Sequence, residues 1–211
     1  MFLQVDHAER FEQALLANMS AFGVELSPDA LARLETYYSL LTRWNGRLHL
    51  VAPCSPEEFA TRHVLESLIL LEHLPHGAKI ADVGSGGGLP IVPCLIVRAD
   101  LEATLIESSP KKTVFLREVL TTVGRRATVL ARPFEEIDAP EVKFVTSRAL
   151  DQFLSKLPEL IKWAPKGATL LFFGGEKLKE KLSDGDAWLI PKSEKRYLIV
   201  TRINADEEGS R

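Results

Sequence analysis

Apolar residues recur at two different spacings along the chain, and the change falls at Lys79. Before it, from about His7 to Leu74, the spacing is helical. Ser27-Pro28 supplies an N-cap with proline at the first helical position, and Leu31, Leu34, Tyr38 and Leu41 follow on one side. Asn45-Gly46 predicts the stop. Ser55-Pro56-Glu57-Glu58 repeats the start signal, with acids in the first turn where the helix dipole favours them. Phe59, His63, Leu65, Leu68 and Ile69 continue that pattern until Pro75-His76-Gly77.

After Lys79 short apolar runs alternate with helical ones. Lys79–Val83, Leu101–Glu107, Ala127–Ala131, Val142–Thr146, Ala168–Phe173, Trp188–Ile190 and Tyr197–Arg202 predict strands. Leu89–Val97, Pro110–Val123, Phe153–Trp163 and Lys177–Leu182 predict helices between them. Such alternation means right-handed βαβ units and a mostly parallel sheet. No helix separates the last two strands, so they predict an antiparallel hairpin at the sheet edge. The expected fold is α/β and Rossmann-like, with about seven strands and an N-terminal helical extension. The expected division is residues 1–76 for the extension, 77–204 for the core and 205–211 for a flexible tail.

A length of 211 residues leaves room for one full α/β domain plus an appendage. No apolar run reaches the roughly 18 residues a membrane span needs. The opening Met1-Phe2-Leu3-Gln4-Val5-Asp6 lacks the basic and apolar regions of a signal peptide. Cys54 and Cys94 stand in unrelated contexts without metal-ligand spacing, which favours reduced structural thiols and no metal site. These features favour the cytoplasm. A net charge of -3 argues against coating nucleic acid by bulk charge, so a nucleic-acid partner has to be met by a local patch.

The candidate chemistry begins at Asp82-Val83-Gly84-Ser85-Gly86-Gly87-Gly88. A strand-to-helix turn at the carboxyl edge of a parallel sheet is where open α/β sheets bind ligands. Glycines at Gly84, Gly86 and Gly88 permit close backbone approach. Glu107, ending the next strand, stands where an acid accepts hydrogen bonds from ribose hydroxyls. The glycine spacing is one residue shorter than the dinucleotide pattern, and Asp82 is unwelcome beside a pyrophosphate. A cofactor with an ammonium and a sulfonium and no phosphate, S-adenosylmethionine (AdoMet), fits better. A dinucleotide site and a purely structural turn are the competing readings.

Several ordered motifs carry a family resemblance. Asp82–Pro90 followed by Pro93 resembles the cofactor loop of the RsmG (GidB) family, methyltransferases of bacterial small-subunit ribosomal RNA. Arg43-Trp44-Asn45 with Leu48 and Leu50 is similar to the family's K-W-N…N-L segment, and Arg62–Ser67 to its R-H-x-x-D-S. Glu107–Lys112 with Phe115-Leu116-Arg117, Thr146–Ala149 and Arg196–Val200 resemble its (D/E)-S-x-x-K-(K/R)…F-L-R, S-R-A and closing R-H-L-V-V. The match covers about Leu31 to Arg202. Three positions depart from it. His49 stands where Asn is usual, Ile91 replaces a glycine, and Gly174-Gly175 replaces a Lys-Gly pair.

The resemblance implies methyl transfer from AdoMet to N7 of one guanine in the decoding region, with ribosomal RNA or a ribosomal subunit as partner; a monomeric protein is a separate expectation. It implies cofactor contacts for Gly84 and Leu89, added to Asp82, Ser85, Gly86, Gly88 and Glu107, with Pro133-Phe134-Glu135 framing the adenine. Arg148 would face both cofactor and target base, as the candidate catalytic residue. Arg62, Lys111 and Lys112 are the candidate RNA contacts, and Arg43, Arg47, Arg125, Arg126 and Arg132 are further candidates for a basic rim. His63 reads as a packed, hydrogen-bonded histidine, and Tyr37, Tyr38 and Trp44 read as core. A small-molecule methyltransferase and a non-catalytic RNA-binding protein that keeps the fold are the alternatives.

Overall fold

The computed structural model describes residues 2–148 and 153–204, apart from the side chains of residues 2–6 and 153. The expected tail at 205–211 and Ala149 of the S-R-A motif lie outside the described residues. Ahead of the sheet stand α1 (Phe2–Asn18), α2 (Pro28–Leu48), α3 (Pro56–Glu58), a π-helical turn over Phe59–Leu65, α4 (Glu66–Leu68) and a tight turn over Ile69–His73. Then follow β1 (Lys79–Val83), α5 (Ile91–Val97), β2 (Glu102–Ile106), α6 (Pro110–Thr122), β3 (Thr128–Leu130), β4 (Phe144–Arg148), α7 (Phe153–Trp163), β5 (Thr169–Gly174), α8 (Glu176–Lys181), β6 (Asp186–Leu189) and β7 (Tyr197–Arg202). No helix among the described residues is long and apolar enough to cross a membrane.

The strands form one sheet in the order β3-β2-β1-β4-β5-β7-β6. The first five pair in parallel, and β7 pairs antiparallel with both β5 and β6. This is the expected mostly parallel sheet with an antiparallel edge hairpin. The order runs outward in both directions from β1 and β4, so the switch point of the topology lies between their carboxyl ends.

Strand alternation divides the core between the two faces. Ile80, Leu171 and Leu198 pack with the helices before the sheet and with α5 and α6. Ala81, Leu170, Phe172 and Ile199 pack with Leu157 and Leu160 of α7. The residues ahead of β1 therefore share one hydrophobic core with the sheet instead of forming a separate one.

Both predicted N-caps form. Ser27 Oγ accepts from Ala30 N at 3.2 Å and Ser55 Oγ from Glu58 N at 3.1 Å. The predicted stop at Asn45-Gly46 does not. The second helix continues to Leu48 and ends where His49 turns left-handed at φ 49°. Asn and His tolerate that region better than most residues, which accounts for a histidine at a usual asparagine position. Asn45 instead exchanges hydrogen bonds with the main chain of Val51, at 3.1 and 3.0 Å, and shapes the loop that follows. The fourth strand is displaced from the expected Val142–Thr146 to Phe144–Arg148, because pairing with β1 begins at Phe144 opposite Ile80.

Candidate active site

The Gly-rich turn leaves β1 at the switch point and is hooked to the next strand. Gly84 N and Ser85 N both donate to Ile106 O, at 2.9 and 3.2 Å. Gly84, Gly86 and Gly88 all have positive φ, as the sequence predicts. Gly88 admits no replacement: its φ is +84°, and an added Cβ would lie 2.6 Å from Val92 Cγ2 at the start of α5. Behind the turn, the buried Tyr37 hydroxyl donates to Gly87 O at 2.7 Å.

A cavity of roughly 980 Å³ opens above this turn. Its floor is Gly84, Ser85, Gly86, Gly87 and Leu89, and one wall is Glu107 to Ser109 with Lys112. The opposite wall is the loop His49–Pro53 with His63 and Arg148. Lys156 of α7 completes the rim. A smaller recess shares Gly84, Ser108 and Lys156 with it and is lined by Pro133, Phe134 and Glu135, the residues expected to frame an adenine. The volume is that of a cofactor-sized site.

Glu107 is buried, and its oxygens are already used. Oε2 accepts from Gly86 N at 2.9 Å and Oε1 from Ser109 N at 2.7 Å. The carboxylate thus braces the turn against the start of α6 while lining the cavity.

Two expected contacts lie off the cavity surface. Gly88 is packed under the turn against Val92. Asp82 is fully buried beneath the turn, and neither carboxylate oxygen has a hydrogen-bond partner. Burial pushes its pKa up to about 8; the neighbouring Ser85 hydroxyl opposes the shift and the charge of Glu107 adds to it. An orphaned buried acid beside a cofactor-sized cavity is a place where a cation is favoured.

Arg148 ends β4 on the cavity wall, as expected, but its guanidinium is turned into the protein. Nη2 donates to Glu66 Oε2 at 3.1 Å and to Arg62 O, and Nη1 lies 3.4 Å from Ser67 Oγ and 3.5 Å from His63 O. The ring of Phe173 lies 5.3 Å from the guanidinium carbon. Hydrogen bonding of the target base by these terminal nitrogens is therefore pre-empted; the charge remains at the cavity wall, with 12% of the side chain exposed.

His63 is not hydrogen-bonded as expected. Its Nδ1 is buried without a partner, and the ring packs on Phe59 with centroids 5.2 Å apart. Burial, and then the charges of Arg148, Arg62 and Arg196, push its pKa down to about 3, so it is neutral. Tyr37 and Tyr38 are core residues as expected, and Trp44 packs edge-on against Phe115 while its Nε1 donates to Glu118 at 3.1 Å.

The candidate RNA contacts divide. Lys112 lines the cavity, Lys111 is exposed beside it, and Arg62 is exposed but ion-paired with Glu58 at 2.5 Å. Of the wider rim, Arg132 lines the smaller recess with Pro133, Phe134 and Glu135, but Arg125 and Arg126 are not on that face. Arg125 and Arg126 line a separate cavity with Asp100 to Ala103, at the amino end of β2. That is the opposite edge of the sheet from the turn, because the strands are parallel. The Gly174 departure also has a physical cause: a Cβ there would meet Leu178 Cδ2 at 2.4 Å and Leu178 Cβ at 2.9 Å. The eighth helix occupies the space a lysine stem would need.

Glu66, Arg196 and Lys156 belong to the site and were not singled out by sequence. Glu66 and Arg196 sit inside quoted motifs, and an acid between apolar Leu65 and Leu68 was the available signal for burial. Nothing in the sequence around Lys156 distinguishes it from other surface lysines.

The family model described as "rRNA small subunit methyltransferase G" (GidB) matches residues 30–207. The protein of that name from Halorhodospira halophila is 40% identical over 163 residues, spanning 76% of this chain and 77% of that protein. Its counterpart from Chromobacterium violaceum is 37% identical over 150 residues, or 70% of each chain. Among solved structures, a SAM-dependent methyltransferase from Aquifex aeolicus superposes with a TM-score of 0.56 at 17% identity, covering 78% of this chain and 97% of that one. TYW2 of P. horikoshii, solved in complex with MeSAdo, superposes with a TM-score of 0.52 at 15% identity, covering 68% and 63%. These structures share the Rossmann-like methyltransferase fold with this chain.

Proposed function

This chain belongs to the rRNA small subunit methyltransferase G family, and from that premise we propose that it transfers the methyl group of AdoMet to N7 of one guanine in small-subunit ribosomal RNA. The observation that carries the cofactor half is the orphaned Asp82 carboxyl beneath a glycine turn that floors a cofactor-sized cavity. AdoMet, when bound, supplies an electrophilic methyl on a sulfonium. Gly84, Ser85, Gly86 and Leu89 would hold it on the floor, Glu107 would accept from its ribose, and Pro133, Phe134 and Glu135 would frame its adenine. Asp82 and Gly88 act from below the turn. Asp82, which burial keeps protonated without a cation nearby, would release that proton as the positively charged cofactor seats and so contribute its charge; Gly88 contributes by letting the turn close on α5.

Guanine N7 presents its lone pair at the major-groove edge without prior loss of a proton. The residues therefore have to hold and orient the base; no side chain needs to take a proton. A neutral His63 and an engaged Arg148 suit that task, since neither requires a proton cycle. Arg148 offers the base its face and charge. Lys111 and Lys112 flank the cavity mouth as phosphate contacts, with Arg62 beside them in its ion pair. The protein acts as a monomer in the cytoplasm, on RNA or on a particle containing it.

The test incubates the protein with labelled AdoMet and small-subunit particles lacking the modification, then maps N7-methylguanine by chemical cleavage. One labelled N7-methylguanine is the expected result. Label at another atom, or none, overturns the assignment.

A further inference from the structure

The wall behind Arg148 comes from the helical segment ahead of the sheet. Glu66, 1% exposed, is the carboxylate that two arginines share. Its Oε2 accepts from Arg148 Nη2 at 3.1 Å, and its Oε1 accepts from Arg196 Nη2 at 2.5 Å and Nε at 3.2 Å. Arg196 immediately precedes β7, so the acid is pinned from the far side and cannot swing away with Arg148.

The π-helical turn completes the arrangement. It directs the Arg62 and His63 carbonyls at the same guanidinium, and Ser67 Oγ, itself donating to His63 O at 2.5 Å, adds a fourth oxygen. Single π turns of this kind recur where a helix builds a site. With Phe173 against the ring-like guanidinium, every terminal nitrogen has an assigned direction. Two positive groups against one buried negative group leave one net positive charge in this cluster, beside the cavity.

We propose that Glu66 is a positioning residue of the reaction: it fixes the plane of the Arg148 guanidinium in the cavity wall, so that Arg148 meets the bound base with its face and charge and not with its hydrogens. This rests on the function proposed above. Glu66 itself touches neither substrate nor cofactor; it acts through Arg148. A planar group held at a fixed angle is already ordered when the base arrives, and misplacement by a fraction of its width is costly to transfer.

The experiment compares the wild type with Glu66→Gln by nitrogen-15 NMR of arginine side chains and by single-turnover methyl transfer, normalised to the folded fraction from circular dichroism. Arg148 signals are assigned by their loss in Arg148→Lys. The wild type is expected to show resolved, slowly exchanging Arg148 Hη signals. Glu66→Gln is expected to average them and to slow transfer by at least about tenfold. Unchanged Hη signals overturn the proposal, and so does a transfer rate within about threefold of wild type. If Glu66→Gln does not fold, Glu66→Gln with Arg196→Gln removes one charge of each sign and is judged by the same two readouts. A wild type that transfers no methyl group sinks the proposed function alone, and the Hη signals then decide whether Glu66 holds Arg148.

Discussion

Tyr37 and Gly87 are joined by one buried hydrogen bond of 2.7 Å between a helix that precedes the sheet and the turn that floors the cavity. Burial raises the pKa of the phenol, so it stays a donor across the working pH range. Tyr37→Phe keeps the packing and leaves the Gly87 carbonyl without its partner. The expected loss is about 1–3 kcal/mol of stability, with weaker AdoMet binding. Thermal denaturation and a cofactor titration check this. Equal melting temperature and equal affinity would mean that the turn draws no support from α2.

Asp82 gives the apo protein a characteristic pH dependence. Its pKa is 3.8 ordinarily and about 8 when folded, so the folded chain holds a proton that the unfolded chain releases. Raising the pH between those two values therefore favours unfolding. Asp82→Asn has no proton to lose. The variant should match the wild type near the acid limit and exceed its melting temperature increasingly as pH approaches 8. Its AdoMet affinity should fall, because the carboxylate that favours a cation is gone. Parallel melting curves across the range would refute the first part, and unaltered affinity the second.

His63 acts in the opposite sense. Its ordinary pKa of 6.5 drops to about 3 on folding, so the unfolded chain binds the proton first. Its stabilising contribution is complete above the ordinary value and is lost as pH falls through that window. His63→Gln should therefore lose less melting temperature than wild type between about pH 7 and about pH 4. Steeper acid loss in the variant would show that the ring is charged in the folded protein.

Much of this was readable wherever the signal is local. The caps at Ser27 and Ser55, the first strand, the hairpin and the glycine turn each depend on residues within a few positions of one another. The end of α2 was not readable, because a left-handed His49 and a bridging Asn45 depend on the loop they fold against. Glu66 and Arg148 are separated by 82 residues, and helical periodicity says nothing about a partner on a distant strand. The basic rim failed at Arg125 and Arg126 for the same reason. Arg125 is close in sequence to Arg117 and Lys112, but α6 carries the chain from one edge of the sheet to the other between them.

Gly174 makes the departure from the Lys-Gly pattern testable. Gly174→Lys places a Cβ within 2.9 Å of Leu178 Cβ, so α8 must shift away from β5. Overpacking of that kind costs about 1–3 kcal/mol. Adding Leu178→Ala removes the 2.4 Å contact with Cδ2 but keeps Cβ at 2.9 Å, so it should relieve the clash only in part, and it opens space in the core behind α8. Chemical denaturation of the single and double variants checks the coupling. A single variant as stable as wild type would show that Leu178 has room to move.

The RNA surface can be located from salt dependence. Lys112 lines the cavity and Lys111 stands exposed beside it, whereas Arg126 lies at the far edge of the sheet. A lysine that meets a phosphate releases a counterion, so removing it lowers the slope of log affinity against log salt by about 0.7 to 0.9. Lys111→Gln and Lys112→Gln should each lower the slope for small-subunit RNA by that amount, and Arg126→Gln should leave it unchanged. Arg62→Gln should give a smaller drop, because Glu58 already neutralises part of its charge at 2.5 Å. If Arg126→Gln lowers the slope as much as Lys112→Gln does, the RNA does not enter over the glycine turn, and the assignment of Lys111 and Lys112 fails with it.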